Sequence, residues 1–196
     1  RKGTSENPSI SRSPYQPLLF CPRLSALHFS STVSPVMTME WDNWEPKERA
    51  TLLFVVKEGQ ILLIRKKRGL GAGKVNGPGG RIEPGESVLE AAVRETREEL
   101  GVEALDPTLR GELRFQFLDG YSLHCSVFLS PDCVGEAIET DEAIPMWTPL
   151  DAIPYDEMWA DDARWLPGVL DGGTFRGEFV FDSDKMLSHS VRWETL

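Results

Sequence analysis

The sequence predicts an α+β domain built on a mixed β-sheet. Three observations carry this. Short apolar runs of strand length recur from Thr51 to Trp193, and two segments, Ser87–Leu100 and Asp162 to about Leu170, have the marks of helices. Strands and helices then follow one another without strict alternation. At 196 residues the chain is long enough for one domain with a full core and too short for two comfortable ones. No internal repeat is visible.

The first 39 residues stand apart. They are rich in Ser and Pro and hold four of the 21 Lys/Arg and one of the 31 Asp/Glu, leaving 17 and 30 in positions 40–196, a net of −13. Such a composition suits a disordered tail, an organelle-targeting (mitochondrial) segment, or translated upstream sequence before Met37 or Met39. The folded domain is expected over residues 48–196, in the cytoplasm unless the leading segment is a genuine address.

Within the domain, Thr51–Val56 and Ile61–Lys66 are apolar strands, and Lys57-Glu58-Gly59-Gln60 between them is a hairpin signal. A Gly-rich loop follows through Gly69, Gly71 and Gly73, and then Asn76-Gly77-Pro78-Gly79-Gly80. Ser87 can cap the next segment with Glu90 three residues on, and Gly101 closes it. Leu89, Ala92, Val93, Thr96 and Leu100 are its expected buried stripe. Strands are expected at Leu109–Leu118, Tyr121–Leu129 and Phe175–Phe181, with a shorter one near Ser188–Trp193, and the second helix lies between them.

A net charge of −10 argues against polymeric nucleic acid, which calls for a basic surface. A small anionic substrate remains compatible if metal ions supply positive charge. The longest apolar runs are strand-sized, so no membrane partner is expected. Cys21, Cys125 and Cys133 form neither an even set nor a CxxC pair, which disfavours a disulfide framework and a zinc site and suits a reducing compartment. The histidines, His28, His124 and His189, are scattered and are expected to be structural or exposed.

Glu95, Glu98 and Glu99 stand at i, i+3 and i+4 on the first helix, where like charges destabilise an isolated helix. Solvent or a cation must compensate. Oxygen-rich clusters suit Mg²⁺ or Mn²⁺. Taken alone, the trio would be read as a solvated acidic face partnered by Arg94 and Arg97. Its surroundings point elsewhere. Gly80, five residues, Glu86, seven residues, Arg94-Glu95, two residues, Glu98-Glu99 and then Gly101-Val102 form one spaced pattern.

In that pattern the chain resembles the Nudix hydrolase family, with Thr96 standing where an aliphatic residue is usual. The resemblance implies a mixed sheet packed between helices, an α/β/α sandwich with a loop–helix–loop catalytic motif. It implies that Glu95, Glu98 and Glu99 hold Mg²⁺ (or Mn²⁺), with Glu86 and Glu142 as further acids near the metals. Arg94 would orient a glutamate, and the backbone of Gly79 and Gly80 would complete the site. The metals would neutralise phosphate charge and help make hydroxide from water, and one glutamate would assist as general base.

Over roughly residues 50–196 the chain is similar to the branch of that family that hydrolyses oxidised purine nucleoside triphosphates. The shared stretches are Lys66–Gly69, Gly71–Gly73, Asn76-Gly77, Ser122–Phe128, Thr140–Glu142, Trp147, Ile153-Pro154, Met158–Asp162 and Trp165. By this resemblance Asn76, Trp159, Asp161 and Asp162 read the base, Thr51 and Lys66 match the pocket floor, and Phe115 keeps an aromatic beside it. Residue chemistry agrees: Trp offers a stacking face, Asn a donor and an acceptor, and two adjacent buried aspartates can share a proton. Plainer roles exist for each, with Asp161-Asp162 as helix caps, Trp159 and Trp165 as core and Asn76 as a turn residue. The branch's aromatics at Leu70, Val75 and Pro78 are absent, which bears on base preference.

The expected activity is a metal-dependent diphosphatase that converts oxidised purine nucleoside triphosphates, such as 8-oxo-dGTP, to monophosphate and pyrophosphate. The expected form is a monomer with a small-molecule nucleotide substrate. The alternatives are a Nudix pyrophosphohydrolase of dinucleotides or nucleotide sugars and, in another class, a non-catalytic nucleotide sensor.

Overall fold

In the computed structural model, residues 39–194 are described. The expectations for the leading segment lie outside them, apart from residue 39. The strands are β1 (Glu48–Lys57), β2 (Gln60–Lys66), β3 (Val75–Asn76), β4 (Glu103–Leu105), β5 (Thr108–Phe117), β6 (Ser122–Ser130), β7 (Asp132–Val134), β8 (Ala143–Pro149), β9 (Thr174–Asp182) and β10 (Lys185–Glu194). The helices are α1 (Val88–Leu100) and α2 (Asp162–Leu170), and a single 3-10 turn occupies Tyr155–Glu157.

The main sheet runs β10-β9-β5-β6-β1-β2-β3, with β8 on the second edge of β2, and β4 pairs with β7 in a separate ribbon. The β1/β6 and β5/β9 pairs are parallel and the other pairs antiparallel, so the sheet is mixed. Strand alternation splits the core into two layers. Phe54, Ile61, Leu63, Leu113 and Val127 point to the side where Trp165, Leu166 and Val169 of α2 pack. Leu53, Val55, Leu62 and Ile64 point to the other, against Ala92 and Leu100 of α1. The result is the expected sandwich with one helix on each face.

β2 pairs with β1 only through Val55–Lys57. Beyond that point the free edge of β1 is taken up by the glycine loop: Thr51 N–H donates to Gly80 O, Leu53 N–H to Pro78 O, and Ile82 N–H to Arg49 O. This exchange brings the loop to the middle of the sheet.

α1 has both halves of its capping box, with Ser87 Oγ accepting from Glu90 N and the Glu90 carboxylate accepting from Ser87 N, and it ends on a left-handed Gly101. Its buried face keeps Ala92, Thr96 and Leu100 of the expected stripe, with Val93 partly buried beside them, and departs from it at Leu89. Ala91, Ala92, Thr96, Glu99 and Leu100 are buried, while Leu89 is 44% exposed. Glu99 also turns inward, and Leu89 is left on solvent in the first turn although it lies on the same side of the helix as Thr96 and Leu100. Thr96 fits this face because its hydroxyl donates to Ala92 O at 2.8 Å.

No helix among the described residues is long and apolar enough to cross a membrane. Ordered structure also begins before position 48. Trp44 Nε1 donates to Gln116 Oε1 at 3.0 Å, and Arg114 donates to Trp41 O at 3.3 Å.

Phe54 is fully buried, sits edge-on to Trp165 at 5.9 Å, and fills the space that a side chain at Gly77 would need. Phe54→Ala is therefore expected to cost about 3–5 kcal/mol, measured by denaturant unfolding. A loss below about 1 kcal/mol would show that the α2 layer does not depend on it.

Candidate active site

On one side of the glycine loop lies a cavity of about 420 Å³. Every residue expected to bind substrate lines it: Thr51, Lys66, Asn76, Gly79, Gly80, Phe115, Trp159, Asp161 and Asp162. Glu142 lines it too and is ion-paired with Arg68. Leu70 reaches the cavity but is half exposed.

The polar atoms at the cavity wall are arranged unevenly. Asp161 and Asp162 are each 2% exposed. Neither makes a side-chain cap on α2. Asp161 Oδ2 accepts from Trp165 Nε1 at 3.0 Å and Asp162 Oδ2 from Trp159 N at 3.0 Å. Asp161 Oδ1 and Thr51 Oγ1 are buried with no protein partner. Asn76 Oδ1 is used by Gly77 N–H at 2.8 Å, so its amide NH₂ is the group left for a ligand. Buried polar atoms without partners are costly, and both of these belong to residues that line the cavity.

Desolvation raises the carboxyl pKa of Asp161 and of Asp162, and the charge on Asp161 pushes Asp162 further up. One of the pair therefore holds its proton well above the usual carboxylate range. Trp159 borders them, edge-on to Phe181 at 5.6 Å and to Phe117 at 6.4 Å, with Lys74 Nζ 5.1 Å from its ring centre.

On the other side of the loop stands the carboxylate helix. Glu99 is 1% exposed, and its Oε2 accepts from Gly79 N at 2.8 Å while Oε1 pairs with Lys66 Nζ at 3.3 Å. Lys66 thus links the cavity to the helix rather than serving as floor alone. Burial raises the pKa of Glu99 and Glu95 despite their cationic neighbours.

Arg94 grips Glu86 through two bonds, Nε to Oε1 at 2.7 Å and NH2 to Oε2 at 3.0 Å, and reaches Glu95 at 2.8 Å and Glu98 at 3.0 Å. It also donates to Arg81 O. The guanidinium is mostly covered by these acids and does not line the cavity. Glu98, 57% exposed on its side chain, is the open member of the trio.

The donor set is entirely oxygen. Among the described residues no three Asp, Glu, His or Cys side chains converge into a ready-made cage. This fits a hard cation of the Mg²⁺ type, which takes one or two carboxylates and completes its shell with water and phosphate oxygens. Buried Glu99, with Glu95 and exposed Glu98 on neighbouring turns, could hold it. Glu86 has both oxygens committed to Arg94.

Several cavity residues escaped the sequence reading, among them Phe117, Phe181, Tyr121, Glu48 and Arg81. Strand alternation from Phe115 would have found Phe117. Nothing local marks Phe181, which arrives from β9.

The chain belongs to the NUDIX family: the NUDIX domain pattern matches residues 46–169. Among curated relatives, the oxidized purine nucleoside triphosphate hydrolase of Danio rerio is 40% identical over 143 residues, covering 72% of this chain and 92% of the relative. That of Mus musculus is 39% identical over 144 residues, with the same coverage of both chains. Among solved structures, a mutator MutT protein from Bacillus halodurans superposes with a TM-score of 0.67 at 29% identity, over 74% of this chain and 97% of that one.

Two glycines and one acid offer tests. A β-carbon on Gly79 would lie 2.0 Å from Thr51 O, against rigid backbone, and one on Gly80 would lie 2.4 Å from the Glu95 carboxyl group, a movable side chain. Gly79→Ala is expected to lose about 1–3 kcal/mol or more, and Gly80→Ala to keep most stability while losing hydrolysis. Denaturation and turnover measured together distinguish the two, and equal, small effects on both would contradict the packing.

For Asp162, a raised native pKa means the folded chain keeps a proton that the unfolded chain releases near pH 4. Stability from this group is therefore lost as pH rises from there through the native value. Asp162→Asn cannot deprotonate, so it should gain stability relative to the parent as the pH rises from about 4 through the raised native value. Parallel melting curves across that range, taken in EDTA, would contradict it.

Proposed function

We propose that the chain hydrolyses oxidised purine nucleoside triphosphates, 8-oxo-dGTP among them, to the monophosphate and pyrophosphate, clearing damaged nucleotides before they reach DNA. One observation carries this. A cavity fitted for a purine, with Trp159, Asn76 and the Asp161/Asp162 pair on its wall, is separated from the carboxylate helix only by the Gly79–Gly80 main chain. The names of the relatives at 40% and 39% identity support the same choice.

NUDIX hydrolases generally need a divalent metal. We take it to be Mg²⁺, held by Glu95, Glu98 and Glu99, where it would neutralise phosphate charge and lower the pKa of water. The chain's own residues do the rest. Trp159 offers a flat face to the base, and Asn76 donates to it. The proton held by the aspartate pair lets one carboxyl donate while the other accepts, so either of two base-edge patterns can be met. Lys66 and the Gly79 amide fix the orientation of Glu99, and Arg94 fixes Glu95 and Glu98. Aromatic and aliphatic walls keep bulk water from the base. The working form is a monomer acting on a free nucleotide.

The test is pyrophosphate release with Mg²⁺, comparing 8-oxo-dGTP, 2-hydroxy-dATP and dGTP with ADP-ribose and diadenosine tetraphosphate. Preference for the oxidised purines is expected, with selectivity collapsing in Trp159→Ala and Asn76→Ala. Preference for the dinucleotide or the sugar nucleotide would overturn the assignment of the cavity. Glu98→Gln should lose at least about 10²-fold in rate, and chelation should abolish turnover. Full activity in Glu98→Gln with unchanged metal dependence would remove it from the metal site.

A further inference from the structure

Among the cavity residues left without a role in this chemistry, three form a cluster. Glu48 opens β1, Arg81 follows Gly80 directly, and Tyr121 immediately precedes β6. Tyr121 Oη donates to Glu48 Oε2 at 2.6 Å, and Arg81 Nε donates to the same oxygen at 2.8 Å. Both donors use Oε2, and Glu48 Oε1 has no hydrogen-bond partner among the described residues. The Glu48 side chain is nevertheless largely covered, at 28% exposure.

The cluster is built rather than incidental. Tyr121 packs on Phe117 at 5.5 Å, and its carbonyl accepts from Gln116 Nε2, whose own Oε1 is held by Trp44. Burial, followed by the Glu48 carboxylate, pushes the phenol up to about 12, so it stays a neutral donor.

Position gives the cluster its meaning. Glu48, Ala50, Leu52 and Phe54 share one face of β1 by alternation, running from the rim of the cavity to the core contact with Trp165. Arg81 bridges to Ala50 and sits next to Gly80, which abuts the Glu95 carboxylate. A nucleotide with its base beside Asp161 and its phosphates beside α1 must carry its sugar between the two, past this rim.

We propose that Glu48 is a sugar-recognition residue: its unused carboxylate oxygen accepts a hydrogen bond from a ribose hydroxyl, with Tyr121 and Arg81 as positioning residues that hold the carboxylate. This rests on the nucleotide-hydrolase function proposed above. A hydroxyl is the fitting partner, because it can donate to a carboxylate whose other oxygen is already saturated by two donors.

The experiment crosses one mutation with a substrate series of ribo-, 2′-deoxy- and 2′,3′-dideoxynucleoside triphosphates, in both the guanine and the 8-oxoguanine forms. Wild type is expected to lose about tenfold or more in kcat/KM when the recognised hydroxyl is removed, as for a hydrogen bond to a charged group. Glu48→Ala should erase that penalty while turning over the substrate lacking the hydroxyl as well as wild type does. An equal penalty in both proteins, or none in wild type, overturns the proposal.

Tyr121→Phe leaves the carboxylate held by Arg81 alone. It should raise KM about threefold with kcat unchanged, and an unchanged KM overturns its positioning role. Calorimetric binding of the same series gives the hydroxyl ratio without turnover. The ratio of 8-oxoguanine to guanine substrates, read from the same data, reports separately on the oxidised-purine assignment, so either can fail alone.

Discussion

The site depends on one close approach of main chain. Between Pro78 and Ile82 the chain runs along the edge of β1 that β2 leaves open, trading hydrogen bonds with Arg49, Thr51 and Leu53. There is no room for a β-carbon at Gly79, which faces Thr51 O, and one at Gly80 would displace the Glu95 carboxyl group. The Gly79 amide then donates to Glu99, so the same peptide that completes the sheet also anchors the carboxylate helix. If this crossing were displaced, cavity and helix would survive as separate features with no fixed distance between them.

The two-layer core explains why the crossing is needed. The base cavity opens on the α2 face of the sheet, lined by Leu113, Phe117 and Phe181, and α1 packs on the opposite face through Ala92 and Leu100. A substrate that uses both must pass an edge, and the parting of β1 from β2 after Val55 supplies it. Buried charge is concentrated on this line. Lys66 and Glu99 pair across it, and Arg94 gathers three glutamates behind it. Such an arrangement rejects desolvated carboxylates unless cations meet them, which is why an acidic protein can present its most buried acids to a polyanionic substrate.

Much of this was legible in the sequence wherever the signal is local. The capping box at Ser87/Glu90, the Gly101 stop and the strand pairs around Lys57–Gln60 rest on nearest neighbours and were read within a residue or two. The spaced glutamates and glycines defined the family motif. The nine residues that the resemblance assigned to the pocket all line one cavity.

What escaped depends on long-range pairing. β8 carries Pro145 and Pro149, which argue against a strand, yet prolines are tolerated there because β8 is an edge strand paired only to β2. Leu89 fits the apolar periodicity but lies exposed in the first turn of α1, since periodicity gives the buried side of a helix and not where along its length the burial begins. Phe181 and Tyr121 reach the cavity through strand order, which no local pattern encodes. The ion pair of Lys66 with Glu99 joins residues 33 apart in sequence.

The most direct test of a single substrate spanning both sides of the Gly79–Gly80 crossing is a crystal structure with Mn²⁺ and a non-hydrolysable 8-oxo-dGTP analogue. The account predicts the base against Trp159 and within hydrogen-bond distance of Asn76 and the Asp161/Asp162 pair. It places the metal on the α1 glutamates, touching the phosphates of that same molecule. A base bound outside the cavity while the phosphates occupy the metal site would contradict it.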